Sequence, residues 1–331
     1  MLDKIGGLGA GTFGIALAKL LAEKGLDVTV YSHSEDKVIK LRETNHHERF
    51  LDVDLPKSIK YTSEISEAVV AKDIVLFALP SVTIRQVARN IKPYISNNQI
   101  IVDVSKGIEK DSLLTLSEVI KQELANDSLK YVVLSGPTHA EEVILNMPTA
   151  IVSASNDLNS AKHIQEVFAS SFFRVYTNSD IKGIEICGAL KNIMAIAAGI
   201  SDGLGYGDNA KAALITRGLQ EIKRLGSKMG CKDETFFGLA GVGDLIVTCT
   251  SSHSRNNRCG YLIGQGKSVE DAKKEIGMVV EGLNALPAAM ELAIKYDIDM
   301  PITNMLYKVV NERFEPRIAV KELFERELKS E

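Results

Sequence analysis

Three glycines in the run Gly9-Ala10-Gly11-Thr12-Phe13-Gly14 constrain the fold of this chain more than any other feature. Their G-x-G-x-x-G spacing follows a short opening strand and leads into an amphipathic run from Ile15 to Glu23. A β-branched segment, Asp27 to Tyr31, comes next at the distance of a βαβ unit. In that setting Gly9 permits the tight turn and Gly11 lets the backbone approach a pyrophosphate. Gly14 allows close packing of helix on strand, with the helix N-terminus facing the anion. The segment predicts a dinucleotide-binding crossover rather than an incidental glycine turn. Gly6-Gly7 inside the opening strand is unusual, because glycine weakens pairing and permits another backbone segment to come close.

Up to about residue 178, short β-branched runs alternate with helical stretches. The predicted strands are Asp27 to Tyr31, Asp73 to Leu79, Ile100 to Ser105, Tyr131 to Leu134, Thr149 to Ser153 and Phe173 to Tyr176. Several are apolar on both faces, as buried parallel strands are. From Ile181 the alternation stops and long helical segments take over, such as Asn209 to Met229, which ends at Gly230 as a helix C-cap would. Ser268 to Asp271 has capping-box spacing, and Pro316 suits the first turn of a terminal helix. The expected fold is α/β, a Rossmann-like domain with a mostly parallel sheet over residues 1–180, then an all-α domain over residues 181–331, with a ligand cleft beside the junction.

Charge argues for a small-molecule partner. With 39 basic and 43 acidic residues the net charge is −4, so no global field recruits nucleic acid or an anionic membrane. The N-terminal residues lack the regions of a signal peptide, and no uninterrupted apolar run reaches membrane-spanning length. Cys187, Cys231, Cys249 and Cys259 are few and irregularly spaced, which suits reduced thiols in the cytoplasm. Cys249, His253 and Cys259 fit no familiar zinc pattern, so no metal is expected.

Lys191 is the residue most suggestive of chemistry. It is the only cation between Ile184 and Ile200, in a stretch otherwise made almost entirely of small and apolar side chains. Desolvation there would disfavour its charge and suit it to give a proton to a carbonyl under reduction, although a lysine snorkelling to water reads the same in isolation. Lys106 and the turn Ser135-Gly136-Pro137-Thr138 follow strands, where open α/β sheets place ligands. Asp244 sits among small residues and could orient the Lys191 ammonium or cap a helix. Ser254-Arg255-Asn256 precedes a helix and outlines an anion site, though the same residues could be an ordinary capped loop. The second strand ends Tyr31-Ser32-His33 with no acid to repel a 2′-phosphate, so NADP(H) is favoured alongside NAD(H).

Ser135-Gly136-Pro137-Thr138, Gly188-Ala189-Leu190-Lys191-Asn192, Leu214-Ile215-Thr216-Arg217-Gly218, Ala240-Gly241-Val242-Gly243-Asp244-Leu245 and Ser254-Arg255-Asn256, in that order, closely resemble bacterial NAD(P)-dependent sn-glycerol-3-phosphate dehydrogenases. The resemblance implies reversible hydride transfer between NAD(P)H and dihydroxyacetone phosphate, giving glycerol 3-phosphate for phospholipid synthesis, by a cytoplasmic homodimer. It implies that Lys191 is the proton donor and acceptor, helped by Lys106 and Asp244. Lys106, Gly136, Thr138, Lys191, Asp244, Ser254, Arg255 and Asn256 fall on substrate positions. Gly9, Gly11, Thr12, Phe13, Gly14, His33, Lys106, Ala140, Arg255, Val279 and Glu281 fall on cofactor positions. Thr12-Phe13 replaces the usual Ser followed by Trp or Tyr, His139 replaces a smaller or apolar residue, and Gly6-Gly7 replaces larger apolar ones. The alternatives are a related reductase acting on a 3-hydroxy acid or a sugar-acid phosphate, and a dinucleotide redox sensor that would have no use for Lys191 or Asp244.

Overall fold

Strand β1 (Lys4–Leu8) opens a sheet in which its last four residues are buried. The computed structural model describes residues 3–126, 129–328 and 330. After β1 come α1 (Thr12–Glu23), β2 (Asp27–Tyr31), α2 (Glu35–Thr44), β3 (Lys60–Thr62), β4 (Ile74–Phe77), α3 (Ile84–Ile91), β5 (Ile100–Asp103) and α4 (Leu116–Leu124). Then follow β6 (Lys130–Ser135), α5 (Ala140–Val143), β7 (Thr149–Ala154), α6 (Leu158–Phe168) and β8 (Phe173–Asn178).

The eight strands form one sheet in the order β3-β2-β1-β4-β5-β6-β7-β8. Neighbours are parallel except β6 and β7, so the last two strands run against the first six. Every residue of β4 and β5 is buried, as expected of strands covered on both faces. The edge strand β8 instead alternates buried and exposed positions over its first four residues. Three-residue β3 was not foreseen, because Lys60–Thr62 is too short to carry a period.

Gly6 is explained by packing. A Cβ there would lie 1.6 Å from the Ala68 carbonyl oxygen, in the turn Ile65–Ala68, so only glycine lets this turn close on β1. Gly7 faces no such demand, its nearest neighbours lying at 3.7 Å and beyond.

The remaining chain is helical, comprising α7 (Ile181–Gly203), α8 (Asp208–Lys228), α9 (Asp233–Phe236), α10 (Asp244–Thr250), α11 (Arg255–Gly264), α12 (Val269–Ile276), α13 (Glu281–Lys295), α14 (Pro301–Asn311) and α15 (Pro316–Phe324). By contacts the chain divides into two units, one holding the residues through Lys106 together with Leu114–Glu185, the other Gly107–Leu113 together with the residues from Ile186. This division departs from a single cut after residue 180. Gly107–Leu113 joins the helical unit because Ile108 is buried in that unit's core.

Helix α7 is apolar nearly all round, which marks a helix meant for an interior. By length and composition alone it could cross a membrane, despite Lys182, Glu185, Lys191 and Asp202, but 94% of its most apolar window is buried within the protein. Its small residues admit α11 at close range: a Cβ on Gly199 would lie 1.9 Å from the Asn257 carbonyl oxygen. That contact sets the first turn of α11 against the C-terminal part of α7.

Candidate active site

In the first unit the glycine loop is built as its spacing implies. Gly9 adopts φ +114°, and a Cβ there would meet the Ala78 carbonyl oxygen at 2.4 Å. A Cβ on Gly14 would meet the Gly9 carbonyl oxygen at 2.3 Å, so helix and turn touch through backbone. Gly11 is different, because nothing lies within 4 Å of its Cβ direction. It precedes α1, whose start has no side-chain cap and no acid in its first turn. Open space before an uncapped helix start suits an anionic pyrophosphate. Thr12 and Phe13 are half-buried beside it, and Phe13 packs against the unit's core.

At the end of β2, His33 is exposed while Ser32 is buried, its hydroxyl accepting the Ser34 N–H at 3.3 Å. Lys37 lies 3.3 Å from Glu48, and that ammonium draws the Glu48 carboxyl below the usual carboxylate range. Lys37 therefore already has an anionic partner, which competes with any nucleotide phosphate.

Three of the expected residues meet at one carbonyl. Gly136 accepts hydrogen bonds from Lys106 Nζ at 3.2 Å and from Thr138 Oγ1 at 3.1 Å. Ala140 is buried as the first residue of α5, with His139 at that helix's N-cap. Glu141 and Glu142 form its first turn, a structural role.

In the helical unit Lys191 is 5% exposed, so it does not snorkel to water. Its Nζ donates to Asp244 Oδ1 at 2.6 Å and to Thr248 Oγ1 at 2.6 Å. The Thr248 hydroxyl spends its own hydrogen on the Asp244 carbonyl at 2.6 Å, which turns a lone pair toward the ammonium. Asp244 opens α10 directly after a π-helical turn, Leu239–Gly243. Its carboxylate faces Lys191 instead of capping the helix. Single π turns often mark functional positions.

The start of α11 is a braced corner. Ser254 is its N-cap and accepts the Asn257 N–H at 3.2 Å, so the capping role considered for this segment holds for that hydroxyl. Arg255 is half-buried at the first helical position. Asn256 donates to Asn192 Oδ1 at 3.0 Å and accepts the Gly282 N–H at 2.9 Å, tying α11 to α7 and α13. Glu281 opens α13, and Val279 lies just before it at 36% exposure. Thr248 and Asn192 were not assigned roles from sequence. Thr248 could have been found from its place four residues after Asp244, on the same helix face.

Burial pushes the Cys249 thiol up to about 12 and the Cys259 thiol up to about 11, which suits neither to nucleophilic or metal-binding work. Among the described residues no group of three or more His, Cys, Asp or Glu is placed to hold a metal ion.

Known proteins of one family resemble this chain over most of its length. The model for the NAD-dependent glycerol-3-phosphate dehydrogenase N-terminus matches residues 4–161, and that for the C-terminus matches residues 180–321. A glycerol-3-phosphate dehydrogenase [NAD(P)+] 2 of Lactobacillus delbrueckii subsp. bulgaricus is 57% identical over 334 residues, covering 100% of this chain and 99% of its own. A glycerol-3-phosphate dehydrogenase [NAD(P)+] of Bacillus subtilis is 51% identical over 327 residues, covering 98% of this chain and 95% of its own. The crystal structure of a Coxiella burnetii glycerol-3-phosphate dehydrogenase superposes with a TM-score of 0.94 at 40% identity, covering 98% of this chain and 99% of that one. A ketopantoate reductase structure from Ralstonia eutropha shares the fold alone, with a TM-score of 0.60 at 17% identity.

Proposed function

The chain belongs to the NAD-dependent glycerol-3-phosphate dehydrogenase family and interconverts dihydroxyacetone phosphate and glycerol 3-phosphate with NAD(P)(H), and we propose that Lys191 is its proton donor and acceptor, with Asp244 and Lys106 in support. The observation that carries this reading is the buried Lys191 ammonium, held between Asp244 and Thr248 at 2.6 Å each.

The residues present fit a dinucleotide, since the space at Gly11 and the uncapped start of α1 accommodate a pyrophosphate. Gly9, Gly11, Thr12, Phe13 and Gly14 would hold it, with His33 near the adenosine end and Lys106, Ala140, Arg255, Val279 and Glu281 at the remaining cofactor positions. When bound, the reduced nicotinamide supplies hydride to C2 of the ketone. Lys191 gives a proton to the oxygen as negative charge develops there, which is general-acid catalysis. Asp244 keeps the lysine's nitrogen in place and favours its reprotonation between turnovers. Lys106 adds positive charge that stabilises the alkoxide. Arg255 and the start of α11 bind the substrate phosphate, and this remote binding energy orients the ketone. Gly136, Thr138, Ser254 and Asn256 complete the substrate positions.

The absence of an acid at Ser32-His33 supports a preference for NADPH. The same reading makes the protein a cytoplasmic homodimer serving phospholipid synthesis, with residues 1–180 binding the dinucleotide and residues 181–331 carrying the catalytic lysine.

Adding dihydroxyacetone phosphate to the purified protein is expected to consume NADPH, and NADH more slowly. Lys191→Gln keeps a hydrogen-bond donor for Asp244 but cannot release a proton at neutral pH. It is expected to lower kcat by about 10²–10⁴-fold with NADPH binding nearly unchanged. Near-normal turnover in that variant would remove Lys191 from the mechanism.

A further inference from the structure

A buried run of hydroxyl and carboxyl groups backs the turn that carries Lys106. Asp103, the last residue of β5, is 0% exposed, and its Oδ1 accepts the Ser105 N–H at 2.8 Å. Its Oδ2 lies 3.2 Å from the Tyr131 hydroxyl on β6. The same hydroxyl lies 3.2 Å from Oε1 of Glu185, near the start of α7. Glu185 also accepts the backbone N–H of Ser117 at 2.7 Å and its hydroxyl at 2.6 Å, at the start of α4. Ser105, between Asp103 and Lys106, accepts the Leu79 N–H on its hydroxyl at 3.4 Å.

The hydrogens do not balance if both acids are ionised. Tyr131 brings a single hydrogen to two carboxyl oxygens. One of the two oxygen–oxygen contacts would then hold no hydrogen, and two negative charges would share a dry site, which is costly. One added proton removes both problems. Each carboxyl takes the N–H and the O–H of a serine, Ser105 at Asp103 and Ser117 at Glu185, but Glu185 takes a further hydroxyl hydrogen bond from Thr115, so negative charge is better satisfied there and the proton belongs on Asp103.

We propose that Asp103 is a positioning residue for Lys106 and acts as a carboxylic acid, its proton donated to Tyr131 Oη and the Tyr131 hydrogen donated to Glu185. Held in this way, Asp103 keeps an oxygen for the Ser105 N–H and fixes the direction in which Val104-Ser105-Lys106 leaves the sheet. Burial is the main cause that pushes the Asp103 carboxyl up to about 7, and it also raises Glu185 and sends Tyr131 well above its ordinary value. The other charged groups facing this run are few. The Lys121 ammonium on α4 lies 6.0 Å from the Tyr131 ring centroid. Glu118 on α4 pairs with Lys182 on α7 at 2.9 Å and accepts the Thr115 N–H at 2.9 Å. Strand β4, on the other side of β5, contributes only Ile, Val, Leu and Phe.

The sign of the pH effect follows. Asp103 binds its proton more tightly folded than unfolded, so its stabilising contribution is complete below about pH 4 and is lost as pH rises through about 7. Asp103→Asn reproduces the protonated acid, with Oδ1 for Ser105 and Nδ2 for Tyr131. Its Tm relative to the parent is expected to climb across that interval and then level off.

The decisive measurement is the carboxyl ¹³C NMR titration of Asp103 in the full-length protein, assigned by its loss in Asp103→Asn. Titration near neutrality is expected, and titration in the ordinary carboxylate range overturns the proposal. For positioning, kcat/KM for dihydroxyacetone phosphate should be largely kept in Asp103→Asn and fall by about 10- to 100-fold in Asp103→Ala, which offers neither bond. Equal impairment of the two variants, or none in Asp103→Ala, overturns the positioning role. The inference rests on the reading of Lys106 as a site residue. Lys106→Ala tests that reading separately, and the NMR titration needs no substrate.

Discussion

The glycine loop of the first unit is shaped by backbone, and the Lys191 cluster of the second by buried side chains. At Gly9–Gly14 the essential features are a left-handed turn, a helix start without a cap and a position with empty space in front of it. Consecutive residues encode all of these. The Lys191 site instead requires a lysine on α7 to meet an aspartate 53 residues later in the chain, away from water. A buried charge without its partner costs several kcal/mol, so each member of such a site depends on the rest. A backbone site should therefore fail through obstruction, and a side-chain site through loss of a partner.

Gly6→Ala breaks that comparison most severely, since it attacks the scaffold rather than the ligand position. Its Cβ would fall 1.6 Å from the Ala68 carbonyl oxygen, and urea unfolding should show a loss of about 3 kcal/mol or more. Parental stability would mean that the Ile65–Ala68 turn shifts at no cost. Gly11→Val is the converse, because its φ of −76° suits any residue and no atom lies within 4 Å of its Cβ direction. Stability should change by no more than about 1 kcal/mol, while NADPH affinity in a fluorescence titration drops by about 100-fold. Intact affinity would place the pyrophosphate elsewhere.

Thr248→Val sharpens the other side of the comparison. It removes one acceptor from Lys191 at nearly constant volume, and kcat should fall by about tenfold with KM for NADPH little changed. A change confined to KM would assign Thr248 to binding. The smallest effect is expected from Glu48→Gln, which releases Lys37. The NADPH-to-NADH ratio of kcat/KM should rise by about two- to threefold at low ionic strength and less in salt. A constant ratio would remove Lys37 from cofactor selection.

The strands were legible where burial makes continuous β-branched runs, and Asp27–Tyr31 was read to the residue. Asp73 to Leu79 was read too long, because the ladder ends at Phe77 where the chain turns outward into the loop before α3. The reversal of β7 against β6 had no sequence signal, since either direction buries the same residues. Within the site, Lys191 stood out as the only cation between Ile184 and Ile200. Thr248 did not, because a threonine in a hydroxyl-rich segment looks like many others. Ser254 and Asn256 were visible as polar groups, but only their partners show that one caps α11 and the other braces it.

By itself the sequence determined the glycine loop, the change from α/β alternation to helices and the placement of one lysine in an apolar helix. These depend on spacing and period, which act between near neighbours in the chain. Tertiary structure decided which oxygens hold Lys191, why Gly6 must be glycine and how one hydroxyl comes to stand between Asp103 and Glu185. Those outcomes require groups far apart in sequence to share a site without water, where each charge or hydrogen must be matched by a partner that no local pattern specifies.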